Sequence, residues 1–94
     1  MLVLEKGHWY LLRTSKEGVT PATNAIALIQ RIYNNGTCVC SSVAVIRNDD
    51  TSLELNNQVV ERDITYDISQ VVEELSPPVV AMCLAGSGID MSDF

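Results

Sequence analysis

The chain has one histidine, one tryptophan and one phenylalanine, and only six Lys and Arg residues among 94. Each scarcity narrows the range of functions. With a single histidine, any Ser–His or Cys–His nucleophile pair must run through His8. No partner for it stands at a recognisable spacing. Six scattered cations make no basic stripe, so no nucleic-acid partner and no anionic membrane surface are expected, because neutralising phosphates needs clustered Lys and Arg. The longest apolar run, Val79 to Ala85, is too short to span a bilayer. Residues 1–6 offer no basic stretch ahead of a long apolar run, so no signal peptide is read. Aromatics make up 5% of the chain, so the core must be built from Val, Ile, Leu and Ala.

The three cysteines, Cys38, Cys40 and Cys83, are an odd number. One stays unpaired in any monomer, which fits a reducing compartment, and a cytoplasmic location is the expectation. Cys38 and Cys40 share a strand face if that segment is extended, and bridging them would strain the backbone. Asn35-Gly36-Thr37 matches a glycosylation sequon, which matters only on a secretory route.

What is present is acidic charge, unevenly placed. Residues 1–47 carry five cations against two acids, a net of +3. Residues 48–94 carry Arg62 alone against ten acids, a net of −9. A basic protein is the natural electrostatic counterpart.

The pattern along the chain reads as one compact two-layer α+β domain over residues 1–94. Leu2–Glu5 and His8–Arg13 suit a tight hairpin turning at Gly7. Thr20-Pro21 resembles a helix start, and Ala22, Ala25, Ile26, Ile29, Ile32 and Tyr33 recur at helical spacing up to Asn34-Asn35-Gly36. Thr37–Arg47 is a strand apolar on both faces, with Cys38 and Cys40 opposite Val39, Val43 and Val45. Residues 52–55 and 58–66 read as two further strands. Asp67 with Gln70 makes a capping-box pattern for a second helix, stopped by Ser76-Pro77-Pro78. Residues 79–84 are either a buried strand or a short helix capped by Ser76, which so short a run cannot decide. Residues 86–94 read as a flexible tail. The expected order is ββαβββαβ, a mostly antiparallel sheet with two helices.

No constellation stands out as catalytic. Cys38, Cys40, Cys83 and His8 have zinc-ligand chemistry, but a C-x-C within an apolar strand lacks the knuckle of structural zinc sites. Asn48, Asp50, Ser52 and Glu54 faintly resemble a calcium loop, without its glycine and closing glutamate. Gly86-Ser87-Gly88 resembles a phosphate loop, without room for the helix such a loop needs. No cofactor or metal is therefore expected. The remaining candidates are partner-binding: the acids Glu54, Glu61, Asp63, Glu73 and Glu74 on outward faces, and Trp9 and Tyr10 as aromatic anchors, of which at most one should be buried in a two-layer fold.

These features point to a non-enzymatic protein-interaction module that forms homo-oligomers. That pattern is common among accessory or inhibitor-type proteins of viruses, phages and mobile elements, which often act by binding a host protein. The competing expectation is a small ligand-binding or enzyme domain built on His8 and a thiol.

Overall fold

In the computed structural model the chain is described over residues 3–15, 18, 23–47, 53–56 and 59–94. The strands are β1 (Trp9–Arg13), β2 (Asn24–Ile32), β3 (Thr37–Arg47), β4 (Leu53–Leu55), β5 (Glu61–Asp67) and β6 (Val71–Leu75). Among the described residues one helix, α1 (Pro77–Leu84), follows them, and 3-10 turns lie at Ile68–Gln70 and Met91–Asp93. The α+β class and the antiparallel sheet stand, but the expected ββαβββαβ order does not.

Neither expected helix forms an α-helix over its described residues. The stripe from Ala25 to Ile32 lies on β2, which pairs antiparallel with β1 on one side and β3 on the other. The Thr20-Pro21 start lies outside the described residues. Period two is present in the same residues: Ile26 and Leu28 face one way, Ala25, Ala27 and Ile29 the other. Both faces are covered, so no polar side exposes the alternation. The second expected helix is a single 3-10 turn followed by β6. Its Asp67–Gln70 signal is physically used, since Gln70 Oε1 accepts the Asp67 N–H at 2.9 Å, but the helix goes no further. Residues 77–84 take the helical alternative, with Pro77 and Pro78 in the first turn, where their missing N–H groups go unused. The N-terminal hairpin keeps its turn at Lys6-Gly7, but the described part of its first arm, residues 3–5, forms no strand.

The sheet order is β4-β3-β2-β1-β6, with β5 also pairing β3. β4 takes the last residues of β3, opposite Val45 to Arg47, and β5 takes the first half, opposite Thr37 to Ser42. β5 and β6 therefore sit at opposite ends of a five-strand order. Yet only Ile68–Gln70 connects them. A flat sheet would separate these strands by four spacings, roughly 19 Å, whereas the four-residue step from Asp67 to Val71 reaches at most about 14 Å. The sheet must curl on itself.

Three irregularities supply the curl. The pairing register shifts at Gln30 in β2, at Arg62–Asp63 in β5 and at Val72 in β6. An extra residue in one strand bends it and tightens its twist. Ala25 and Ala27 keep the inner face of β2 thin where the sheet folds over.

The curl divides the core in two. Tyr10, Leu12, Ala27, Ile29, Cys38 and Cys40 form the inner cluster, closed by Leu4, Tyr66, Ile68 and Val71. Trp9, Leu11, Ile26, Val43, Val45 and Leu75 form the outer cluster, covered by Val80 and Leu84 of α1 and by Ile89, Met91 and Phe94. Ile89, Met91 and Phe94 belong to the segment 86–94, which the sequence reads as a flexible tail. Arg62 Nη2 also donates to the Asp93 carbonyl at 2.8 Å. No described helix is long and apolar enough to cross a membrane.

Candidate functional site

Trp9 and Tyr10 are neighbours on β1 and point to opposite faces. Both are buried, Trp9 at 6% and Tyr10 at 0% exposure. The expectation that one would be surface-accessible fails because each face of the sheet has its own cover. Each ring packs in a core cluster of its own, Trp9 in the outer and Tyr10 in the inner one. Tyr10 is wired into the core instead: its hydroxyl accepts the Glu5 N–H at 2.8 Å and lies 3.4 Å from the Val3 carbonyl. Burial pushes its phenol above the usual value, and the Glu74 and Glu5 charges add to the shift.

The five acids do not share one face. Glu54 is on β4 opposite Ile46, and Glu61 on β5 opposite Ser42. Four residues of β3 separate those positions, about 13 Å, beyond the distance at which exposed charges couple strongly. Asp63 falls in the β5 bulge with φ 57°, and its carboxylate lies 3.9 Å from Arg31 Nη2. Glu73 and Glu74 are on β6, opposite Leu11 and Tyr10, and so diverge to different faces.

Glu74 is drawn to the histidine. His8 Nε2 lies 3.0 Å from Glu5 Oε2, and His8 Nδ1 lies 3.5 Å from Glu74 Oε2. Sequence reading missed this trio because β1–β6 pairing brings Glu74 alongside residues 66 positions earlier. A cavity of about 190 Å³ opens beside it, lined by Gly7, His8, Trp9, Glu74, Leu75 and Pro77. Its chemistry is limited. Both ring nitrogens face carboxylates, so neither is directed at a nucleophile.

The thiols are elsewhere. Cys38 and Cys40 are fully buried in the inner cluster with their sulfurs 3.7 Å apart. Burial raises both thiols, and Cys40, with Cys38 beside it, is pushed up to about 12. Thiols held protonated in a closed core are poor nucleophiles and poor metal ligands. Cys83 on α1 is half-buried, and its Sγ lies 3.5 Å from the Leu53 carbonyl. Among the described residues no three His, Cys, Asp and Glu side chains converge on a metal position. Asn48, Asp50 and Ser52 of the calcium-like pattern lie outside the described residues. Gly86-Ser87-Gly88 follows a helix rather than a strand, and Ser87 turns back to donate to the Leu84 carbonyl at 2.6 Å.

A larger cleft, about 670 Å³, opens at the end of β1. Arg13, Thr14, Ser15, Asp67, Ser69 and Gln70 line it with Val72. None of the seven was singled out from sequence as part of a site. No local signal could have found them, because β1–β6 pairing joins segments more than 50 residues apart.

Compared with known protein families, curated proteins and solved structures, the chain matches none.

Proposed function

We propose that this protein is a non-enzymatic interaction module that docks a basic protein partner on the acidic strands β4 and β5. The observation that carries the reading is the exposure of Glu54, Glu61 and Asp63 on these strands, with one guanidinium among the described residues, Arg31, at the edge of ion-pair distance. An exposed pair at that separation contributes little, so the acids stay open to a partner. A module of the accessory or inhibitor type, acting on a host protein in the cytoplasm, fits this reading. The division of the acids narrows the surface to these strands, because Glu73 and Glu74 diverge and Glu74 engages His8.

The test is affinity capture from the native host at low and high salt, with the wild-type chain beside a Glu54→Lys/Glu61→Lys variant. Asp63 is left intact there because its backbone position is special. A cationic protein captured by the wild type, lost on charge reversal and weakened by salt is the expected result. Equal capture by both chains sinks the reading.

Self-association has its own support. On α1, Met82 is 77% exposed and Val79, one turn earlier, is 43% exposed. Pairing of two such helices would bury both. Light scattering on wild type and Met82→Glu checks it: a dimer that the substitution dissociates supports pairing through α1, and a monomer in both cases removes it.

A further inference from the structure

We propose that the cleft at the end of β1 binds a carboxylate flanked by an N–H donor, the chemistry shared by a free amino acid and the end of a peptide. The cation among the described lining residues is Arg13. Its Nε is buried with no hydrogen-bond partner. No ion pair joins its guanidinium to a described residue. That Nε is closed to solvent as well as unpartnered, so a ligand in the cleft meets the outer nitrogens. A guanidinium presents a planar fork of N–H donors that matches a carboxylate, with the outer nitrogens as its accessible prongs.

The surroundings are held in place before any ligand arrives. Gln70 Nε2 donates to the Arg13 carbonyl at 3.0 Å, while its Oε1 accepts the Asp67 N–H at 2.9 Å. One side chain thereby fixes the β5–β6 turn against β1, and with it the placement of Arg13 relative to Asp67. On the other wall, Thr14 Oγ1 donates to Thr23 Oγ1 at 2.7 Å, and Ser15 Oγ accepts the Thr23 N–H at 3.1 Å. Ser69 adds a hydroxyl to the lining. Such preorganisation lowers the ordering cost of binding.

The charge balance selects the ligand. One guanidinium and one carboxylate, Asp67, share the cleft with no second cation among the described lining residues. Among the described lining residues, a phosphate dianion would meet Asp67 with only Arg13 to offset it. A carboxylate needs one cationic fork, and an adjacent N–H gives Asp67 something to accept. This site is independent of the docking surface at Glu54 and Glu61.

The experiment is an amide-resolved NMR titration of the full chain with acetate, inorganic phosphate, glycine and N-acetylglycine. Glycine or N-acetylglycine should shift the amides of Arg13, Ser69 and Gln70. At least one should bind about tenfold more tightly than acetate, the scale of one charge-assisted hydrogen bond. Preference for glycine identifies a free amino acid, and preference for N-acetylglycine a peptide end. Arg13→Gln should weaken binding about tenfold or more, by the same measure. Asp67→Asn should erase the advantage over acetate, and because that side chain is exposed, it keeps the test open if Arg13→Gln unfolds. Phosphate as the tightest ligand overturns the proposal. So do shifts unchanged by both substitutions, or no shifts at all.

Discussion

The Phe94 ring meets the Trp9 ring edge-on, with centroids 4.7 Å apart and planes inclined at 75°. The contact closes the outer cluster by tying residues 89–94 to β1. Edge-to-face pairs add about 0.5–1.5 kcal/mol to what their buried area contributes. Phe94 is only half-buried, so Phe94→Ala should cost about 2 kcal/mol, below the full core value. Urea unfolding measures the loss. Trp9 is the only tryptophan, so its emission should also move to the red as water reaches the indole. A loss within about 0.5 kcal/mol, the range of ordinary surface changes, would show that the segment docks without supporting the core.

Asp63 sets a second test, because its charge and its backbone can be separated. It stands at φ 57° opposite Ser41, where two β5 residues, Arg62 and Asp63, face one β3 residue. That left-handed region is uncommon for residues other than glycine, although Asp and Asn tolerate it best. Asp63→Asn removes the 3.9 Å pair with Arg31 but keeps the backbone preference, so it should be neutral within about 0.5 kcal/mol. Asp63→Val should cost about 1–2 kcal/mol or more through left-handed strain. Chemical denaturation of the two variants gives the comparison. Equal losses would mean that the bulge does not depend on its residue type.

The buried thiols predict how stability responds to alkaline pH. Burial, reinforced by the neighbouring Cys38, pushes Cys40 from an ordinary value of 9.0 up to about 12. The unfolded chain therefore loses this proton first. The stabilisation is complete below pH 9 and is lost as pH rises from about 9 toward 12, at up to about 1.4 kcal/mol per pH unit for each such thiol. Cys38 moves the same way, and Tyr10 adds to the slope at higher pH. Unfolding midpoints measured between neutral pH and pH 11 should fall across that window, and Cys40→Ala should flatten the fall. Native-state alkylation should label half-buried Cys83 ahead of Cys38 and Cys40.

Legibility in the sequence followed the cover on each face. β3 was readable to its ends because Cys38, Cys40, Ala44 and Ile46 alternate with Val39, Val43 and Val45 along it. β2 was misread because Ile26, Ile29 and Ile32 fit a three-residue spacing, while Ile26 with Leu28, and Ala25 with Ala27 and Ile29, fit a two-residue one. The deciding fact, pairing on both sides, is tertiary. The Asp67–Gln70 box was read correctly as chemistry and wrongly as a helix start, since the contact fits a single turn equally well. The site residues suffered most. Trp9 and Tyr10 were assigned by residue type, but a curl produced by three register shifts buries both. Arg13 looked ordinary because nothing in the sequence announces that β6 returns to β1.

Tyr10 shows how much of the N-terminal segment depends on one hydroxyl. Its ring fills the inner cluster, and its oxygen takes the Glu5 N–H at 2.8 Å while lying 3.4 Å from the Val3 carbonyl. Residues 3–5 have no strand partner, so these contacts, with the Glu5 carbonyl accepting the His8 N–H at 3.2 Å, hold them down. Tyr10→Phe keeps the ring and removes only the oxygen. It should cost about 1 kcal/mol, the net worth of a hydrogen bond whose remaining partner still reaches water. The loss should be local as well as global. The Glu5 amide should exchange with solvent faster by a larger factor than amides of β2 and β3, which open only with the whole domain. If every amide accelerates by the same factor, the segment unfolds only with the domain and the hydroxyl is not its tether.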